Sequence, residues 1–336
     1  MQASAQTVNR LTKKCHEDEK CDRCDRCDTL VNKFVQRNIV SDIGGNAKAI
    51  DPDATNAWGI VVNNDGTFWV ILNGSGYLKR YNKYGAILDS LKTPDAPTGL
   101  AEVHNPIPGG ATLIFVTENG LICAYVPSNT PGSQIVTLNT VAGAVYKGVT
   151  VLNGFIYAAN FTNKKVDVFA LINPTVLVQT IVDPALSAAN YGPSNVYSDK
   201  RNVFISYAAI GEGVDEAAGA GYGYINVWRN GQLVRLANRG PLNAPWGMFR
   251  HDCYFYVGNF GDGVINIYRL TTYKDSKCLE YCEPLKNECG TPITIDGLWG
   301  ISIPHKELDY QHIWFAAGIQ DEEHGLIGVL VEGDRC

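Results

Sequence analysis

One pattern recurs six times along this chain of 336 residues and constrains its fold more than any other feature. Each copy runs from a small turn through a glycine and an apolar run to a hairpin turn, an aromatic-rich strand and an alternating strand. Aligned on one position, the copies are 40, 49, 47, 52 and 53 residues apart. The aligned residues are Gly59, Gly99, Gly148, Asn195, Gly247 and Gly300. Such periods are typical of propeller blades, so the chain is predicted to be all-β, a six-bladed β-propeller of four-stranded antiparallel blades.

Local signals within the copies support the same fold. Polar and apolar residues alternate in YINVW (224–228) and VINIY (264–268), as they do in half-buried strands. Asn153-Gly154 separates two apolar runs and predicts a tight hairpin. Two unrelated β domains would not produce six copies in register.

The segments outside the copies suggest the domain organisation. FVQRNIVSD (34–42) precedes the first copy and is predicted to complete the sixth blade, because an open ring would leave exposed strand edges. Residues 1–33 form a Cys-rich N-terminal tail, and residues 34–336 form the propeller. The stretch 271–292 is interpreted as a Cys-bearing insertion between the fifth and sixth blades.

Composition excludes several classes of partner and gives conflicting indications of the cellular compartment. The net charge is −6 with no basic stripe, so nucleic acid is not expected as a partner. No apolar run approaches 18 residues, so no membrane insertion is expected. The first residues lack the apolar region of a signal peptide, yet ten cysteines are many for a reducing cytosol. An extracellular, cell-surface or virion-associated location is therefore expected.

Several segments resemble the signature blocks of a known but uncharacterised family. They are NAWGIVV, AVYKGVTV, PLNAPWGM, VGNFGDGVINIY, TIDGLWGISI and AAGIQDEEHGLIG. The family consists of conserved hypothetical propellers, mostly secreted bacterial proteins associated with PEP-CTERM sorting systems, and is similar to the NHL-repeat propellers. The resemblance covers about residues 34–331. It implies the fold and an extracellular or surface setting, and it carries no activity to transfer.

One face of the predicted propeller gathers aromatic and amide side chains. Three tryptophans directly precede an aligned glycine, and Thr98, Lys147 and Ser194 hold the matching positions in the other copies. A ring of aromatics and carboxamides at a channel mouth could bind a sugar or a peptide. Alternatively, the tryptophans pack between blades and the asparagines cap loops. The candidate ligand-binding residues are Trp58, Lys147, Trp246, Trp299, Asn73, Asn160 and Asn259.

Carboxylates on the same face suggest a cation as another candidate ligand. Ca²⁺ takes 6–8 oxygen ligands, and the Gly-Asp-Gly of NFGDG (259–263) shapes either a calcium loop or a plain turn. The candidate metal ligands are Glu118, Asp262, Asp296 and Glu323.

Seven of the ten cysteines fall into two clusters, one in the tail and one in the 271–292 stretch. A CxxCxxC run in the tail suits either zinc or disulfides. Four cysteines within 13 residues cannot readily pair only among themselves, so at least one is expected to bond outside the tail. Cys123 and Cys253 lie in predicted strands and are interpreted as buried thiols. The candidate disulfide residues are Cys15, Cys21, Cys24, Cys27, Cys278, Cys282, Cys289 and Cys336.

Two functional hypotheses follow. The first is a non-enzymatic structural or interaction propeller, a disulfide-stabilised component of an extracellular, surface or virion-type assembly with protein partners that include other copies of the chain. The second is a metal-dependent hydrolase or lactonase with its site at the central channel. Only analogy of fold supports the second, and no GxSxG nucleophile motif is present.

Overall fold

A computed structural model describes residue 27 and residues 32–104, 110–128, 132–273, 276–304 and 312–333. The chain divides into two units, Met1–Val31 and Asn32–Cys336. In the first unit only Cys27 is among the described residues. The second unit is a ring of six β-sheets. The predicted fold class is confirmed.

The strands follow the chain blade by blade. Before the first blade come β1 (Phe34–Ser41) and β2 (Ala49–Ile50). The first blade contains β3 (Ala57–Val62), β4 (Phe68–Leu72), β5 (Tyr77–Tyr81) and β6 (Ile87–Lys92). The second contains β7 (Pro97–Glu102), β8 (Leu113–Thr117), β9 (Leu121–Val126) and β10 (Gln134–Thr140). The third contains β11 (Tyr146–Leu152), β12 (Phe155–Asn160), β13 (Lys165–Ala170) and β14 (Asn173–Ile181).

The second half repeats this plan with one helix between blades. The helix α1 (Pro184–Ala188) is capped by Asp183. The fourth blade contains β15 (Tyr191–Ser198), β16 (Val203–Ile210), β17 (Glu216–Ala217), β18 (Gly223–Arg229) and β19 (Gln232–Asn238). The fifth contains β20 (Pro245–His251), β21 (Tyr254–Asn259), β22 (Ile265–Tyr273) and β23 (Ser276–Pro284). The sixth contains β24 (Leu298–Ser302), β25 (His312–Ile319) and β26 (His324–Glu332).

The first strand closes the ring. β1 pairs antiparallel with β26, from Phe34 opposite Glu332 to Ser41 opposite Leu326. The short β2 pairs with the outer side of β1. The prediction that residues 34–42 complete the sixth blade is confirmed, since the ring is closed by both ends of the propeller sequence.

Turn chemistry sets the hairpins inside the blades. Asn153 and Gly154 connect β11 to β12 with φ angles of 51° and 81°, the positive values that a two-residue turn between twisted strands requires. The core lies between neighbouring blades rather than within one. One cluster, for example, packs Trp69 and Ile71 of the first blade with Leu113 and Phe115 of the second.

The innermost strands touch one another at the aligned position. A Cβ added at Gly99 would lie 2.6 Å from the Cα atom of Gly148, and one added at Gly59 would lie 2.7 Å from the backbone nitrogen of Leu100. These distances leave no room for a side chain, so glycine is required there by the close approach of two backbones. Asn195 departs from the pattern, and its amide donates a 2.9 Å hydrogen bond to the Trp246 carbonyl of the next blade.

The stretch 271–292 is not a simple insertion. Its residues Ser276–Pro284 form β23, which pairs with β22 as the outer strand of the fifth blade. The sequence did not predict this strand, because it contains charged residues and cysteines. An outer strand is exposed and therefore shows little apolar alternation.

The cysteine predictions are partly confirmed. Cys27 of the tail and Cys282 of the 271–292 stretch are each disulfide-bonded, as expected of cysteines in these two segments. Cys278 and Cys289 are free thiols, so their assignment as disulfide residues is wrong. The Cys278 sulfur instead lies 3.0 Å from the Thr271 hydroxyl on β22, and Cys289 lies in an exposed turn.

Two cysteines of the blades differ from each other. Cys123 is a buried free thiol, as predicted, and burial raises its pKa to about 11. Cys253 is disulfide-bonded, so its interpretation as a plain buried thiol is wrong. It lies in the turn between β20 and β21, where a side chain can reach outward from the blade. The tail cysteines Cys15, Cys21 and Cys24, with the C-terminal Cys336, lie outside the described residues.

No helix among the described residues is long and apolar enough to cross a membrane.

Candidate functional site

The residues directly before the six aligned positions gather around the propeller axis. Five of them are the second residue of an innermost strand, and Ser194 is the fourth residue of β15. The ring therefore places all six at one level along the axis. All six are at least 95% buried. In blade order they are Trp58, Thr98, Lys147, Ser194, Trp246 and Trp299.

The three tryptophans pack against each other rather than around an opening. The rings of Trp58 and Trp299 stack with their centroids 3.6 Å apart. Trp246 meets them edge-on at 5.9 and 5.8 Å, and Phe260 stacks on Trp299 at 4.0 Å. We call Trp58, Trp246 and Trp299 the tryptophan plug. Stacked and edge-to-face contacts at these distances stabilise aromatic pairs beyond the burial of their area.

The prediction of a ligand-sized opening framed by these tryptophans is wrong. Their exposed fractions are 2%, 4% and 1%, and the Trp58 indole donates internally to the Asn56 side chain at 2.9 Å. The reason is the size of the facing residues. Thr98 and Ser194 are small and donate to carbonyls of the next blade, which leaves the axis to the three indoles.

Lys147 lies beside the plug, surrounded by carboxylates. Its ammonium is 2.7 Å from a Glu118 oxygen, 3.5 Å from a Glu216 oxygen and 4.9 Å from the centre of the Trp58 ring. Its side chain is only 1% exposed. Burial alone would lower the pKa of Lys147, but the attraction of Glu216 and Glu118 outweighs burial and holds that pKa above its usual value. The lysine therefore stays charged.

Two carboxyl groups near Lys147 hold protons unusually tightly. Burial raises the pKa of Glu216 to about 7, although Lys147 opposes the shift. Burial also raises the pKa of Glu322, to which Asn56 donates a 2.7 Å hydrogen bond. Desolvation disfavours a charged carboxylate, and one lysine cannot compensate several of them. Sequence reasoning missed Glu216, because it lies on the short β17 outside the repeat pattern.

The three predicted asparagines are mainly structural. Asn160 is 1% exposed and donates to Asp167, and Asn259 is fully buried and donates to the Pro241 carbonyl. Asn73 is half-buried and donates to the Pro97 carbonyl of the next blade at 3.1 Å. Asn160 and Asn259 are therefore not exposed at a channel mouth, and the amide nitrogens of both donate inside the blades.

The predicted metal ligands are held by separate contacts. Glu118 binds Lys147, the Asp262 side chain accepts hydrogen bonds from Asn243 and the Val264 backbone, and Asp296 accepts one from the Gln320 backbone. Glu323 is exposed on the β25–β26 turn. Within the described part of the chain, no three Asp, Glu, His or Cys side chains are grouped so that they could hold a metal ion.

The open part of the axis lies on the opposite face. A cavity of about 740 Å³ is lined by residues of all six innermost strands, at and after the aligned positions. Sequence reasoning missed it although the signal was present, since every residue directly after an aligned position is aliphatic or Met. These residues are Ile60, Leu100, Val149, Val196, Met248 and Ile301.

Two curated proteins of Acanthamoeba polyphaga mimivirus are similar to this sequence over most of their length. "Uncharacterized protein L690" is 31% identical over 318 residues, which cover 84% of this chain and 81% of that protein. The chain belongs to the same family as this mimivirus protein. "Uncharacterized protein R648", 28% identical over 324 residues, covers 87% of this chain and 78% of its own length.

Solved structures show that this chain has a fold found in many other proteins. A streptogramin B lyase matches with a TM-score of 0.54 at 14% identity, over 89% of this chain and 98% of the lyase. The WD40 repeats of RRP9 match with a TM-score of 0.52 at 10% identity, over 89% of this chain and 99% of that protein. At these identities the likeness shows the fold alone. No family model matches this member of the mimivirus family.

Proposed function

We propose that the chain is a non-enzymatic structural or interaction propeller, a disulfide-stabilised component of a virion-type or surface assembly that contacts other copies of itself. The proposal depends mainly on β14, the outer strand of the third blade. Membership in a family of viral proteins supports the virion setting, and the disulfide-bonded state of Cys27, Cys253 and Cys282 supports an oxidising one.

The surface around β14 exposes an unusual amount of apolar area. Ile172 is 76% exposed, and the consecutive residues Val176, Leu177 and Val178 are 47–50% exposed. Val182, just past the strand, is 45% exposed. No charged residue occurs from Ile172 to Val182. Large apolar side chains exposed together on one outer strand indicate a contact with another protein.

The other outer strands differ from β14 in charge or in burial. β6 carries Asp89 and Lys92, β19 carries Arg235, and β23 carries acidic residues. β10 is uncharged, but its Ile135 packs against the core. Outer strands are normally protected by charged side chains, and β14 lacks them. Because an uncharged strand does not repel its own copy, a second copy of this chain is the partner we propose for it.

Light scattering during size-exclusion chromatography tests this proposal. The native protein is expected to elute above the monomer mass at micromolar concentration, and Leu177→Ser together with Val178→Ser is expected to shift it to the monomer. Ile87→Ser on the charged strand β6 is the matched control and should leave the mass unchanged. A monomeric native protein, or equal behaviour of both variants, would contradict the proposal.

The alternative, a metal-dependent hydrolase or lactonase at the central channel, has less support from the axis. The Lys147 ammonium already lies within 4 Å of the carboxyl groups of Glu118, Asp215 and Glu216, in the place that a bound cation would need. Elemental analysis of the dialysed native protein tests the alternative, which would be favoured by one tightly held metal ion per chain. The association with PEP-CTERM sorting stays a prediction of the sequence resemblance.

A further inference from the structure

We propose that the cavity on the open face of the axis is a binding site for a neutral amphipathic small molecule, whose apolar part enters first. The cavity has a volume of about 740 Å³. Small-molecule sites in proteins have volumes of about 300–1,000 Å³. The inference is independent of the proposed assembly, because the cavity and β14 lie on different parts of the ring.

The lower wall of the cavity is apolar around its whole circumference. Each blade contributes one aliphatic or thioether side chain directly after the aligned position, and these side chains are 3–9% exposed. The glycines at the aligned positions bring the strands together and close the cavity below this level. An apolar group that fills such a space removes its own apolar surface from water and displaces solvent that has few hydrogen-bond partners there.

Polar side chains begin one step closer to the mouth. The hydroxyls of Thr150 and Ser198 are 2.8 Å apart, and the Arg250 guanidinium lies 3.0 Å from an Asp199 oxygen. Hydroxyl groups at this depth can exchange hydrogen bonds with a polar end of a ligand. They therefore set the orientation, with the polar end outward.

Both signs of charge are present at the mouth, where Glu102, Asp199 and Asp252 are acidic and Lys200 and Arg250 are basic. Arg250 pairs with Asp199, and two histidines lie near acidic neighbours: His104 is 3.9 Å from Glu102, and His251 is 3.7 Å from Asp252. No one sign of charge dominates among these described rim residues, so the mouth offers no strong field for an anion or a cation. A ligand with an uncharged polar end fits this rim best.

Fluorescence titration with N-phenyl-1-naphthylamine, a neutral apolar probe, tests the proposal on the native protein. We expect saturable binding with one probe per chain. Ala101→Phe adds a ring at a residue that lines the cavity in the second blade, and it is expected to weaken binding at least about tenfold by reducing the space for the probe. The anionic analogue 8-anilino-1-naphthalenesulfonate is expected to bind more weakly than the neutral probe.

Two further variants keep the test decisive. Met248→Gln keeps the length of the side chain but makes the wall polar, so it should weaken binding. It provides a second test of the site if Ala101→Phe does not fold. Leu177→Ser removes apolar surface from β14 outside the cavity and should leave binding unchanged. Unchanged binding in Met248→Gln, or lost binding in Leu177→Ser, would overturn the assignment of the site. Tighter binding of the sulfonate would overturn the preference for neutral ligands.

Discussion

At the scale of single residues, Lys147 and Glu216 determine the electrostatics of the axis. The lysine is almost completely buried, yet three carboxylates, those of Glu118, Asp215 and Glu216, lie within 4 Å of its ammonium. Breaking a buried ion pair by removing one partner is costly, because the other charge is then left uncompensated. Within this cluster Lys147 stays charged, whereas the protonation of Glu216 changes near neutral pH.

Glu216 is predicted to make folding stability depend on pH. Its pKa is about 7 in the folded chain against an ordinary 4.5, so the folded state binds the proton more tightly. The resulting stabilisation is complete below about pH 4.5 and is lost as the pH rises through about 7, by up to about 3 kcal/mol. Urea unfolding at pH 5 and pH 8 should show this loss in the native protein and a smaller loss in Glu216→Gln, where burial still raises the pKa of Glu322.

Glu323, an exposed glutamate, provides the control for this experiment. Its side chain lies on a turn in solvent, so Glu323→Gln should keep the pH dependence of the native protein. An equal pH dependence in Glu216→Gln and the native chain would show that Glu216 does not hold its proton as described.

The burial of the three tryptophans also depends on individual residues, and it could not be predicted from the sequence. The repeat places Trp58, Trp246 and Trp299 at equivalent positions, which correctly predicts that they meet near the axis. Whether they frame an opening or fill it depends on the sizes of the residues across the ring. Only the assembled structure brings Thr98 and Ser194 to those places and leaves the space that the indoles occupy.

At the scale of elements, β1 is the strand on which closure of the ring depends. It pairs along its length with β26, and its Ile39 side chain is 3% exposed in the cluster that joins the sixth and first blades. Its own sheet has five strands, and the segment before the first blade supplies two of them, β1 and β2.

Ile39→Ala is predicted to lower the free energy of unfolding by about 2–5 kcal/mol, the usual cost of removing a large aliphatic side chain from a core. Chemical denaturation followed by tryptophan fluorescence measures this loss. Arg37→Ala on the exposed side of the same strand should change stability by less than about 0.5 kcal/mol. Similar effects of both substitutions would mean that β1 does not close the ring through its core face.

Elements were predictable where a local pattern marks them. The alternation, the Asn-Gly turn and the closing strand all follow from short-range rules, and each is confirmed. β23 and β17 were missed because outer and accessory strands carry polar residues and no repeat signal.

At the scale of the whole molecule, the six innermost strands form a ring of backbone contacts. The narrowest of these contacts involve glycines, and the ring leaves a plugged end and an open end on the same axis. The repeat predicted the ring correctly. It did not predict which end is open, because that depends on side chains from non-adjacent blades.

Gly99→Ala is predicted to destabilise the ring by about 1–3 kcal/mol or more, the range for overpacking in a close-packed interior. The new Cβ would lie 2.6 Å from backbone atoms of Gly148 and Val149, which cannot move without shifting the third blade. Thermal unfolding followed by circular dichroism measures the effect. Gly44→Ala is the control, because its Cβ would meet only the Ile50 side chain at 3.7 Å. Equal melting temperatures for the two variants would contradict the close packing of the ring.

Closure by β1 also dictates an order of events during synthesis. β1 is made before the first blade, but its partner β26 is among the last segments of the propeller to leave the ribosome. At about 5–20 residues per second, the strand waits on the order of 15–60 s before it can pair. Five blades can form in sequence during that interval, while the sixth cannot. The nascent chain is thus a propeller ring that is still open. Its first strand, β1, must not pair with another strand before translation is nearly finished.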